Sequence, residues 1–234
     1  MRISSKRLRS LAAGVDDQHR EAMVDFRDRI GEVHVPTGRS RRRFLTDLGL
    51  GSATIALGPT LVPALRLLPA GAQEEGLTDD DITTFSASVE KAAVVAYDAV
   101  IESGLLSGGE VLSTASLFRD HHEEHGQAFE SLSSSDPEAN QGVLDVFAPM
   151  IEAASDQAAA LTVALALEEG AAATYLFALG ILGPAAAAAT ATILPVEGQH
   201  AVVLGYALDL EPGEYLPALQ TVGGALDPAA FPPE

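Results

Sequence analysis

The stretch Ile193-Leu194-Pro195-Val196-Glu197-Gly198-Gln199-His200 decides how this chain is read. Glu197 and His200 stand three residues apart, which on a helix places a carboxylate and an imidazole on one patch of surface. Such a pair is part of a metal-ligand set when a helical core faces it, and a solvated helix face when nothing does. Glu-x-x-His is short enough to arise often by chance. The weight therefore falls on whether other helices carry matching groups.

Working outward from the pair, Ala186, Thr190, Ile193, Glu197, His200, Leu204 and Leu208 recur at helical spacing and form an inner face. Pro184 suits the first turn of that helix, and Pro195 should remove one backbone hydrogen bond and kink it just before the pair. The preceding helix is expected from about Met150 to Leu179, with Leu161, Leu165, Glu168, Ala172, Tyr175, Leu179 and Leu182 on its stripe. Further upstream, Val111, Ala115, Phe118, His122, His125, Phe129 and Leu132 alternate in steps of four and three, a core face that includes two histidines one turn apart. Glu124 borders that face and could reach inward. Ser107 and Glu110 read as the capping box of this helix. The first helix of the set opens at Thr78, an N-cap followed by Asp79, Asp80 and Asp81 at the positive end of the helix dipole, and runs to about Ser103. On it Glu90 and Tyr97 are seven residues apart and share a face with Val89, Ala93 and Ile101. A carboxylate inside an apolar stripe is costly unless paired or coordinated.

The two halves repeat one another. Glu90 precedes Tyr97 by seven residues, as Glu168 precedes Tyr175, and His122-x-x-His125 corresponds to Glu197-x-x-His200. On these motifs, residues 77–209 resemble the ferritin-like superfamily, in particular its exported ferritin-like domain proteins. The resemblance implies an all-α, up-down four-helix bundle with a long connection between the second and third helices, here from Ser133 to about Met150. It also implies two iron or manganese ions in the core, held by one Glu from each of two helices and Glu-x-x-His from the other two; with His122 in the set, a mononuclear, unevenly filled or degenerate site is an alternative. Carried over by position, Glu90 and Glu168 match the lone glutamates, Glu197 and His200 one pair, and His125 the other histidine. His122 stands where the family has a bridging glutamate. Three carboxylates would leave a pair of divalent ions with one positive charge unless Glu124 or a bound hydroxide compensates, and imidazole bridges poorly. The readings that follow are a metal site with oxidoreductase or ferroxidase-type chemistry, in which Tyr97 and Tyr175 tune ligands or simply pack, and a non-catalytic cell-envelope or stress-related bundle whose polar core is a hydrogen-bond network.

Composition narrows the rest. The chain has no cysteine, which rules out disulfides and thiolate ligands. Its formal charge of −19 is unevenly placed: beyond residue 72 only Lys91 and Arg119 oppose 26 acidic groups. Such a surface repels nucleic acid phosphates and anionic lipid.

Residues 1–72 read as an address. Arg41-Arg42-Arg43-Phe44-Leu45 precedes an uncharged run from Leu48 to Leu65, and Ala70-Gly71-Ala72 offers a cleavage pattern. This resembles a twin-arginine export signal, which implies the twin-arginine translocation machinery as partner and a destination in the periplasm, envelope or exterior. Pro59 and Pro63 weaken the run as a stable membrane span, although a retained signal would act as an anchor. Residues 1–39 read as a long, poorly ordered lead-in, and a start codon nearer Ser40 is an alternative. The domain is expected over 73–210, and 211–234 as a proline-rich tail either packed over the bundle or disordered. The sequence leaves homo-oligomerisation open.

Overall fold

The computed structural model describes residues 4–30, 77–215 and 222–233. In chain order the helices are α1 (Ser5–Ile30), α2 (Asp79–Glu102), α3 (Gly109–Glu130), α4 (Gln141–Ala153), α5 (Gln157–Leu179), α6 (Pro184–Ala207) and the short α7 (Pro212–Tyr215). Helices α2 and α3 pack closely as one pair and α5 and α6 as the other, each pair joined by a short loop. The pairs meet through α2 on α5 and α3 on α6, which completes an all-α bundle with the long connection after α3.

Local chemistry sets most boundaries. Thr78 caps α2 reciprocally: its hydroxyl accepts from the Asp81 amide at 3.1 Å, and its own amide donates to Asp81 Oδ2 at 2.8 Å. Pro184 takes the first turn of α6, as expected. Pro195 lies inside α6, which is helical from Pro184 to Ala207.

Two expected boundaries are corrected. The N-cap of α3 is Gly108 at φ 93°, a left-handed conformation that only glycine adopts freely. Ser107 is drawn instead to α5, where its amide and hydroxyl both donate to Gln157 Oε1. The helix expected from Met150 to Leu179 is two helices. Ala154 is extended, and the Asp156 side chain accepts from the Ala159 amide at 2.9 Å, starting α5 afresh. By length and composition α5 could cross a bilayer, but 72% of its most apolar window is buried inside the protein, as befits a central core helix.

The largest difference lies at the N-terminus. Residues 5–30, expected to be poorly ordered, form α1, which packs on α6 and α3. Leu8, Ala12, Val15, His19, Met23 and Phe26 are buried along one stripe, and each large apolar side chain so buried contributes about 1.5–3 kcal/mol. Val24, on another face of the same helix, is 55% exposed. The arginine motif at 41–43, the run from Leu48 to Leu65 and Ala70-Gly71-Ala72 lie outside the described residues.

Asn140, fully buried, ties the long connection to the bundle and the tail. Its side-chain amide donates to Ser88 Oγ at 3.0 Å and to the Phe231 carbonyl at 2.9 Å. Residues 222–233 pack over the bundle, with Ala225, Leu226 and Phe231 buried and the Leu226 amide donating to Thr174 Oγ1 at 2.8 Å.

Candidate metal centre

Helices α2, α3, α5 and α6 bring Glu90, His122, His125, Glu168, Glu197 and His200 to one point, and all six are 0% exposed. His122 lies at the middle, its Nδ1 2.7 Å from Glu90 Oε2 and its Nε2 3.2 Å from Glu168 Oε1. His125 Nδ1 is 2.8 Å from Glu197 Oε1 and 3.6 Å from Glu90 Oε1. His200 Nδ1 is 3.1 Å from Glu168 Oε2 and 3.6 Å from Glu197 Oε2.

Two sets of four donors can be drawn, Glu90, His122, His125 and Glu197, and His122, Glu168, Glu197 and His200, each with one ligand atom per residue within 4.8 Å of the others. The sets share His122 and Glu197. Both are therefore at the positions where bridging ligands between two ions would sit.

Tyr97 and Tyr175 cross over. Tyr97 donates its hydroxyl to Glu168, and Tyr175 donates to Glu90, so each tyrosine serves the glutamate of the other half. Both phenols are buried, and burial together with the facing carboxylates pushes them well above their usual ionisation range. They remain donors at neutral pH.

The electrostatics follow from packing carboxylates and imidazoles without water. Burial alone would push the Glu90 carboxyl up, but His122 and His125 override it and hold it at about 2. Glu168 is likewise driven well below its usual range by His122 and His200 against the opposing effect of burial. Burial opposes a charge on the rings, yet Glu197 and Glu90 raise His125 to about 9. Glu168, Glu197 and Glu90 raise His122 well above its ordinary value, and Glu168 and Glu197 raise His200.

Not every donor is used internally. Both oxygens of Glu197 and both ring nitrogens of His125 are buried without a hydrogen-bond partner. Glu197 Oε1 and His125 Nδ1 are close at 2.8 Å but out of line for a hydrogen bond. Buried polar atoms left this way are rare and costly, and lone pairs that converge without bonding one another are the arrangement a cation requires. The donor set, carboxylate oxygen and imidazole nitrogen without thiolate, fits a divalent metal ion, iron, manganese and zinc among them.

Glu124 does not join them. It is exposed, because two residues beyond His122 the helix has turned its side chain to the far side of α3. Sequence reasoning also missed two buried histidines. His121 is 2% exposed and His19, on α1, 1%. Their rings stack with centroids 3.8 Å apart. Burial first, then the neighbouring histidines, lowers both, His19 to about 3. The signal available for His19 was its place on the stripe of α1 between Val15 and Met23.

An all-α bundle with a duplicated Glu/His core is the class this architecture defines. The profile of the family described as Ferritin-like domain matches residues 78–210, more than half of the chain. The chain belongs to that family. Searches of curated proteins and of solved structures return no match.

Proposed function

We propose that this chain is an exported metal-binding ferritin-like protein that holds iron or manganese among Glu90, His122, His125, Glu168, Glu197 and His200. The observation that carries the reading is the pair of overlapping four-donor sets, fully buried, with Glu197, shared by both, and His125, in one of them, left unsatisfied. Glu197 has two oxygens and can serve both sets. A neutral His122 has one lone pair and serves one set at a time, so the two positions are unequal, one with four protein donors and one with three.

These six residues would hold the ion, and iron or manganese held by them would supply one-electron chemistry toward oxygen or peroxide. The chain's own part is to exclude water, through six ligands with no exposed surface, and to fix Glu168 and Glu90 through the hydroxyls of Tyr97 and Tyr175. The twin-arginine reading of residues 40–72 suits this function with the signal retained, since that route moves domains already folded, and cleavage after Ala72 would detach α1, which packs on the bundle.

Metal analysis of the full chain, purified from cells without chelators, tests the proposal. Stoichiometric iron or manganese, abolished by the double substitution Glu168→Ala and His200→Ala, is expected. Trace metal that is the same in both proteins would refute it.

A second reading has its own support: His122 uses both ring nitrogens to join Glu90 and Glu168, which links three of the six residues in a polar network without metal. Thermal unfolding separates the two. A site that binds only in the folded state adds about 2.7 kcal/mol at a metal concentration a hundredfold above Kd, or about 5–11 °C for a chain of this size. No shift with iron(II) or manganese(II) would favour the network.

A further inference from the structure

His200 has two ring nitrogens, and the core uses only Nδ1. Its Nε2 lies 3.0 Å from Nδ1 of His121. For Nδ1 of His200 to offer a lone pair to a cation, the ring proton must sit on Nε2 and be donated outward. Nδ1 of His121 can accept that proton only when His121 carries its own on Nε2. That nitrogen is buried and has no hydrogen-bond partner, and it lies 3.5 Å from Oδ1 of Asp16 on α1. The other oxygen of Asp16 is held by Arg20, one turn further along the helix. His19, one turn from Asp16 in sequence, covers the His121 ring, with planes inclined by only 21°. On the other side, Phe118 stacks on His200 at 4.0 Å.

We propose that α1 is a working part of the metal site: the charge of Asp16 selects the tautomer of His121 that lets His200 present a bare Nδ1 to the core. His19 fixes the plane of the His121 ring by stacking on it. Asp16, His19 and His121 are thus positioning residues, since they act on the core through Nε2 of His200 and leave its Nδ1 to the cation. This rests on the metal-binding reading above. Residues 5–30 lie outside the segment matched to the family, 78–210, so the layer is contributed by a helix that the family match does not include.

Two measurements on the full chain test it. The first, long-range proton–nitrogen NMR of the imidazoles, needs no metal: His121 is expected as the Nε2–H tautomer, and an Nδ1–H tautomer would overturn the proposal. The second uses cobalt(II) as a spectroscopic probe of affinity. His121→Leu, which removes the acceptor, is expected to weaken cobalt binding by about 10–100-fold. His121→Asn places an amide oxygen close to where Nδ1 was and should restore binding to within about threefold of the parent. Asp16→Asn, which keeps the size of a side chain 20% exposed on α1, should fall at the lower end of the same range and keeps the test open if His121→Leu does not fold. Equal affinity in the parent and Asp16→Asn would overturn the proposal. Should the parent chain take up no cobalt, the metal reading fails by itself, and the tautomer of His121 still decides whether Asp16 sets that ring.

Discussion

Replacing His122 by glutamate probes the core most directly, because it restores a fourth carboxylate while removing the ring that now balances two others. In the protein as it stands, His122 contacts Glu90 at 2.7 Å and Glu168 at 3.2 Å with neither partner exposed. His122→Glu would leave four buried carboxylates facing only His125 and His200. Breaking a buried ion pair by removing one partner costs about 3–5 kcal/mol. At about 2–4 °C per kcal/mol for a chain of this size, the variant should melt about 6–20 °C below the parent in the presence of a chelator. Added manganese(II) supplies the missing positive charge, so most of that loss should be recovered at saturation, and the metal-dependent shift should exceed that of the parent. Differential scanning calorimetry with and without metal reads both quantities. A variant as stable as the parent in chelator would refute the charge balance drawn for the core. A variant destabilised but indifferent to metal would refute the donor geometry.

Three other perturbations test separate parts of the structure. A Cβ built on Gly205 falls 2.3 Å from Cγ of Tyr215, so Gly205→Ala must displace that ring from α6. Overpacking of this kind costs about 1–3 kcal/mol in urea unfolding, and an unchanged midpoint would mean that the α7 tyrosine does not pack there. Tyr97→Phe and Tyr175→Phe each remove the tyrosine donor from one oxygen of Glu168 or Glu90, a loss of about 1–3 kcal/mol for a buried acceptor, smaller for Glu168, whose Oε1 keeps His122 Nε2 at 3.2 Å; two fully stable variants would contradict the crossed pairing. The pH test concerns Asp81, whose carboxyl is lowered by the Thr78 side chain and then by the Thr78 amide. Because its folded pKa lies below the unfolded value of 3.8, its contribution is complete above that pH and is lost as pH falls through the folded value. Asp81→Asn should therefore narrow the stability difference from the parent toward acid pH, and a gap that is constant from pH 7 to pH 2 would dismiss the cap.

The four inner stripes, their six chemical residues and the caps at Thr78 and Pro184 were legible because helical periodicity marks which face is buried, and polar residues on such a face stand out. The periodicity did not show that Tyr97 meets Glu168 and Tyr175 meets Glu90, since pairing across helices is decided by packing. The restart at Asp156 was visible as an N-cap residue, but the apolar run on either side of it masked the break. Helix α1 was hidden for a different reason. Its stripe from Leu8 to Phe26 is diluted by arginine and aspartate on the remaining faces, and one of its buried positions is His19. Its docking in turn buries His121, which sits off the stripe of α3 and had no reason to be inside a bundle of only four helices.

His122, which the resemblance places where the family carries a carboxylate, gives the core a route to charge balance by protons alone. Four buried carboxylates facing two imidazoles would carry an uncompensated negative charge in a site closed to water, which makes an apo-protein expensive. Three glutamates facing three rings, each ring raised in proton affinity by its carboxylate neighbours, can reach neutrality with protons alone. The same change lowers the charge that holds two divalent ions, so occupancy should depend more on metal supply and folding less on metal. Where the unsatisfied atoms lie agrees with this division. His122 is bonded on both sides, whereas Glu197 and His125 are left open, so the groups open to a cation lie on α6 and at His125, and His122 is engaged by its carboxylate neighbours.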